Sequence, residues 1–254
     1  MSEIVFFQRL LFGWTALAVP VFLLLLFVRA PFGRHARSGW GATVSNKVGW
    51  VLMESPAIWW FPLVYLTGEL VKSPINHLFF GMWMLHYIHR DVVFPFRLHD
   101  RGKRMPWLIV AFAFVFQIVN GYLNGAHLGR GVGRTYELEW LADPRFVIGL
   151  LLFFGGMAIN LKADTMLLAL RAPGETGYKI PQGFLYRWIS CPNYFGEILQ
   201  WTGWAVATWS LAGLSFAIWT FANLAPRALA HHRWYRETFP EYPAERRAVV
   251  PWVL

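Results

Sequence analysis

Three acids lie in or at the edge of apolar stretches: Glu54 in "WVLMESPAIWWF", Asp164 in "INLKADTMLL" and Glu197 in "CPNYFGEILQW". A charge that leaves water costs several kcal/mol unless it is paired or neutralised. Each acid is therefore a member of a structural ion pair, an end residue that snorkels, or a functional group facing a bundle interior. Their companions have helical spacing. Asn160, Asp164 and Arg171 are four and seven residues apart, Arg227, His231 and Tyr235 four and four, and Asn193 precedes Glu197 by four. Such intervals put each set on one helix face. Asn193 and Glu197 also begin a predicted helix, where free N–H groups and the helix dipole favour anions. Amides, carboxylates, cations and a helix N-terminus together suit a ligand with phosphates, ribose hydroxyls and an amide, that is, a nucleotide. No GxGxxG follows a strand and no GxxxxGK[ST] occurs, so the nucleotide is held in an unusual way. "GRGVGR" at 129–134 reads as a flexible connection. His86, His89, His231 and His232 lack the spacing of three ligands beside a carboxylate, and no metal is expected.

The elements that must position these groups are set by composition. Of the 254 residues, 56% are hydrophobic and only 15% charged, against about 25% charged in a soluble domain. The deficit points to a bilayer. Seven apolar stretches approach the ~20 residues that cross its hydrocarbon: roughly 4–28, 48–68, 74–96, 106–125, 146–170, 194–210 and 212–232. The first is too long for a signal-peptide core and reads as a retained helix. The last two are short spans joined at "WSLAG". The expected fold is an all-α integral membrane protein, a seven-transmembrane helix bundle forming one domain over 1–254.

Charge sets the orientation. Arg9, Lys72, Arg130, Arg134 and Arg145 fall on one side, and the other 18 of the 23 Lys and Arg on the opposite one. The positive-inside rule puts the N-terminus outside and the C-terminus in the cytosol. A net charge of +9 distributed between spans, rather than gathered into an arm, argues against a nucleic-acid partner. The lone Cys191 excludes an intrachain disulfide framework. At 1.5 Å per residue, Glu54 and Asp164 lie about 9 Å from the cytosolic face, Tyr87 about 13 Å and Asn160 about 15 Å. With Glu197, all share the cytosolic half.

The stretches "LHYIHRDVVFPFR", "GMAINLKADTMLLALRAPGETGYKIPQGFLYRWISCPNYFGEILQWTGWA" and "RALAHHRWYRETFPEYPAERRAVVPWVL" closely resemble the steroid 5-alpha-reductase family. The likeness covers nearly the whole chain and is strongest from about 146 onward. It implies a multi-pass oxidoreductase that reduces the Δ4 double bond of 3-oxo-steroids, such as testosterone or progesterone, with NADPH. The family pattern matches Glu54 and Tyr87 as the pair at the substrate ketone. It matches Asn160, Asp164, Arg171, Tyr178, Asn193, Glu197, Arg227, His231 and Tyr235 as cofactor ligands. Residues 1–145 would then be the substrate side and 146–254 mainly the cofactor side. Trp50 and Trp201, two of 15 Trp, are either walls of a flat apolar pocket or lipid-facing and packing residues. Helix 1 and the "APFGRHARSGWGATVSNK" loop match only loosely. The membrane would be a bacterial inner membrane or the endoplasmic reticulum. "CPNYFGE" with "FPEYPAERRAVVPWV" also resembles the isoprenylcysteine carboxyl methyltransferase group, which would need S-adenosylmethionine and has no use for a deep Glu/Tyr pair. A non-catalytic lipid- or sterol-binding protein is the third reading; a one-sided cluster of charges disfavours it.

Overall fold

The computed structural model describes residues 2–98, 102–171, 175 and 177–254. Arg101, one of the cations assigned above to the cytosolic side, lies outside them. Each of the seven apolar stretches is helical, but two are broken. Helices α1 (Glu3–Phe27), α6 (Trp107–Gly129) and α7 (Pro144–Ala169) are each long and apolar enough to cross a bilayer unaided.

The second stretch is divided into α2 (Asn46–Glu54) and α3 (Pro56–Leu66). Pro56 has no N–H for the carbonyl of Leu52, and the Ser55 hydroxyl donates to that carbonyl instead, at 3.1 Å. The break falls immediately after Glu54. The third stretch is α4 (Pro74–Tyr87), a π-helical turn over Ile88–Val93, and the short α5 (Phe94–Arg97). In the π-turn Phe94 N–H reaches back five residues to the His89 carbonyl, which leaves the Arg90 carbonyl free of its usual partner.

The expectation of an all-α chain needs one correction. Strands β1 (Thr43–Ser45) and β2 (Arg104–Pro106) form a short antiparallel pair. They precede α2 and α6, which pack together, and pairing satisfies the backbone groups of both entry segments.

α8 (Pro192–Thr208) and α9 (Leu211–Thr238) turn at Trp209, which adopts a left-handed conformation with φ 44°, and Ser210 caps α9. α9 runs past the expected end at 232. The α7–α8 contact is a seam of glycines spaced by seven. Gly149 and Gly156 on one helix face Ala207 and Gln200, and Gly196 and Gly203 on the other face Asn160 and Phe153. A Cβ at any of the four would fall less than 3.0 Å from backbone of the facing helix. The close approach places the ends of both helices in hydrogen-bonding range. The start of α8 is held from a third direction: Ser190 and Cys191 N–H donate to the carbonyls of Arg247 and Ala248, and Ile189 bridges Arg247 in parallel.

Candidate active site

Where the α7–α8 seam ends, Asn160 Nδ2 donates to the Asn193 carbonyl at 3.0 Å, and Asn193 Nδ2 donates to Asp164 Oδ1 at 2.9 Å. One turn on, α8 presents Glu197. The predicted trio of acids converges on a cation that the sequence did not single out. Arg90 lies 3.9 Å from Glu54, 3.9 Å from Asp164 and 3.7 Å from Glu197. All three separations exceed a hydrogen bond, so the guanidinium neutralises the acids without being locked to one of them. Its face packs on Trp50 and Phe94, 4.6 and 5.1 Å from the ring centroids. The Trp50 indole N–H donates to the Arg90 carbonyl, at 3.1 Å. Trp50 therefore engages the hub itself.

Glu54 and Tyr87 end α2 and α4 on the same side of the bundle, but they do not bond to each other. Gln117 of α6 stands between them. Its Nε2 donates to Glu54 Oε2 at 2.5 Å, and its Oε1 accepts from the Tyr87 hydroxyl at 3.3 Å. Tyr87 is 2% exposed and Gln117 5%. Trp201 is fully packed, 4.1 Å from Phe216, 4.7 Å from His86 and 5.8 Å from Tyr87 between ring centroids.

A second cluster lies along α9. Arg227 donates to the Tyr194 hydroxyl at 2.9 Å, and His231 Nε2 is 3.2 Å from that same oxygen. Tyr194 thus joins the α9 face to the α8 turn that carries Asn193 and Glu197. The loop between α1 and β1 closes over this face residue by residue. Phe32 lies under Arg227, the His35 ring stacks on His231 at 4.9 Å, and Arg34 donates to the Tyr235 hydroxyl at 3.2 Å. Arg34 is held against the rings of Tyr178, Trp234 and Tyr235, while its Nη1 is buried without a hydrogen-bond partner. Tyr178 accepts from Lys103 Nζ at 3.1 Å, and Arg171 packs against its ring and donates to the Gly177 carbonyl. Burial, reinforced by Arg227, Arg34, Arg29 and Arg37, pushes the His35 imidazole down to about 4.

All the residues picked out in the sequence fall into these two adjoining clusters or pack against them. The sequence reading missed Arg90, Gln117, Arg34 and His35. Among the described residues no group of His, Cys, Asp and Glu is arranged to hold a metal ion.

Comparison with known proteins identifies the family. The family model described as 3-oxo-5-alpha-steroid 4-dehydrogenase matches residues 103–254. The chain is similar to steroid 5-alpha-reductase DET2 of Gossypium hirsutum, 41% identical over 99% of each chain, and to the Arabidopsis thaliana protein of the same name, 40% identical over 100% of this chain and 98% of that one. To 3-oxo-5-alpha-steroid 4-dehydrogenase 1 of Bos taurus it is 41% identical, over 94% of this chain and 93% of that one.

Proposed function

The chain belongs to the steroid 5-alpha-reductase (3-oxo-5-alpha-steroid 4-dehydrogenase) family of oxidoreductases, and from that premise we propose that it reduces the Δ4 double bond of 3-oxo-Δ4-steroids with NADPH, giving the 5α-dihydro-3-oxo-steroid. The observation that carries the site assignment is the junction of two clusters of different chemistry at the first turns of α8. One is an acid–phenol pair at the bundle centre. The other is a cationic, aromatic face on α9.

The residues fit the cofactor. Arg34 has a buried donor without a partner, and with Arg171 and Arg227 it supplies guanidinium groups suited to phosphates, including a 2′-phosphate. Asp164 and Glu197 are acceptors for ribose hydroxyls or a carboxamide, and Asn160, Asn193, His231, Tyr235 and Tyr178 complete the set. Bound NADPH supplies the hydride, which goes to C5 of the steroid. The chain's own residues manage the charge that then develops on the C3 oxygen. Tyr87 donates a hydrogen bond to that oxygen, and Glu54, in its neutral form, supports Tyr87. A proton taken up at C4 completes the reduction. Trp201, packed on Tyr87, walls the pocket, and Trp50 holds the cation that keeps the acids in place. Residues 1–145 form mainly the substrate side and 146–254 mainly the cofactor side, joined by Arg34 and His35. The helices are arranged as seven spans, with the cationic face in the cytosol.

Single-turnover oxidation of NADPH by progesterone or testosterone, with identification of the steroid product, tests the reading. Tyr87→Phe keeps the ring and removes the hydroxyl, and should lower the rate about 10²–10³-fold with little change in NADPH affinity. Formation of the 5α product at the parental rate would remove Tyr87 from its role.

A further inference from the structure

Gln117 occupies a position that an ordinary packing residue does not need. It is an amide inside the apolar helix α6, almost fully buried, and both of its polar ends are used on the two residues assigned to the ketone. We infer that Gln117 sets the direction of the hydrogen bond at Tyr87, so that the phenol offers its hydrogen to the substrate only when Glu54 is neutral. The inference rests on the assignment of Glu54 and Tyr87 made above.

An ionised carboxylate can only accept, so it draws the Nε2 end of the amide towards itself. The structure has this arrangement, with the contact to Glu54 at 2.5 Å, much the shorter of the two. The opposite end of the amide is then an acceptor, and it takes the single hydrogen of Tyr87. A ketone arriving in that state meets a phenol whose hydrogen is already engaged. A neutral Glu54 has a hydrogen of its own to donate. The amide ends are close to isosteric, so a half-turn of the side chain lets Oε1 accept from Glu54 while Nε2 donates to the Tyr87 oxygen. The phenol hydrogen is released to the ketone, and it is strengthened as a donor because its oxygen now accepts. No covalent bond changes, and Gln117 carries no proton. It transmits a direction. Arg90, 3.9 Å from Glu54, and Asp91, Glu197 and His86 are the other charged or titratable groups around the pair.

The test is a double-mutant cycle on kcat, read beside the NADPH dissociation constant. Gln117→Met keeps the length and removes both hydrogen bonds. It should lower kcat roughly 10-fold or more, a part of what a whole lost donor costs, with NADPH affinity within about 2-fold of the parent. The decisive result is non-additivity: in the Gln117→Met background, Glu54→Met, which removes the donor at position 54, should cost much less than it does alone, because the path from Glu54 to Tyr87 is already cut. Additive losses, or a parental kcat in Gln117→Met, would overturn the inference. If Gln117→Met fails to bind NADPH and so has not folded, the same cycle with Gln117→Asn, which retracts the amide from both partners, gives the same discrimination. Tyr87→Phe separates the two levels of the argument. If that variant is impaired while the Gln117 cycle is additive, the ketone assignment stands and only the coupling falls.

Discussion

The indole N–H of Trp50 donates to the carbonyl of Arg90, which the π-turn over Ile88–Val93 leaves without its helical partner. The same Arg90 guanidinium lies against the Trp50 ring, so one side chain fixes both ends of the residue that three acids share. Trp50→Phe keeps an aromatic face and removes the donor. It should destabilise the protein by about 1–2 kcal/mol, the cost of a buried carbonyl left unpaired. A lower melting temperature in detergent, together with a rate loss that exceeds any loss of NADPH affinity, is the expected outcome.

Removing Arg90 leaves Glu54, Asp164 and Glu197 without their common cation. Breaking a buried pair by deleting one partner typically costs about 3–5 kcal/mol. Arg90→Ala should therefore be more destabilising than Glu197→Gln, and Glu197→Gln should partly relieve Arg90→Ala. Chemical denaturation of the two single variants and the double variant measures the coupling, and strict additivity would mean that the contacts at 3.7–3.9 Å carry no energy.

The glycine seam makes a separate prediction. At Gly156 the atoms nearest to an added Cβ are backbone atoms of Gln200 and Gly196, which cannot swing aside as a side-chain tip would. Gly156→Ala should cost about 1–3 kcal/mol of stability through overpacking. It should also weaken NADPH binding, since the helices must part just where Asn160 meets Asn193. Gly155, with nothing near its Cβ position, is the control, and Gly155→Ala should leave NADPH binding unchanged and stability the same or higher by up to about 1 kcal/mol.

His35 gives a pH dependence. Burial and four surrounding arginines hold its folded pKa at about 4, whereas the unfolded chain binds the proton near 6.5. The unfolded state therefore holds more protons between these values, and stability falls as pH drops through 6.5 towards 4. His35→Phe keeps a ring to stack on His231 and removes the titration. Melting temperatures of the cofactor-free protein should decline less steeply with acid in this variant, and identical slopes would place the acid sensitivity elsewhere.

Cysteine accessibility checks the orientation. Lys179 and Arg134 are exposed, while the single native cysteine is buried. Lys179→Cys should be labelled only from the cytosolic face and Arg134→Cys only from the opposite one. Labelling of both from the same side would remove the one-sided cofactor cluster.

What the sequence made legible follows from what periodicity and charge can encode. The apolar stretches are long, so all seven are found as helices, and the three acids stand out because a charge is costly in such surroundings. Arg90 was hidden by a backbone event. "HYIHRDVVFPF" reads as the end of a regular helix, and a shift of one residue in hydrogen-bond register leaves no trace in the pattern of apolar positions. Gln117 was hidden by its neutrality, since a search for intramembrane charges passes over an amide in "FVFQIVNG". Arg34 and His35 lie on a single 3-10 turn, Gly33–His35, too short to show a period. Their place over α9 is set by stacking and ring–cation contacts between residues some 200 positions apart in the chain.

The start of α8 has a consequence for biosynthesis. Ser190 and Cys191 find their carbonyl partners only in residues 247 and 248. A nascent chain can complete α1 to α9 while these two N–H groups still lack their strand partner, so on the proposed reading cofactor affinity should arise late in translation, after the last helix is made. Ribosome-bound chains carrying a C-terminal linker too short to bring residue 247 out of the exit tunnel should be membrane-integrated yet fail to retain NADPH, and chains with a linker long enough to expose it should retain the nucleotide.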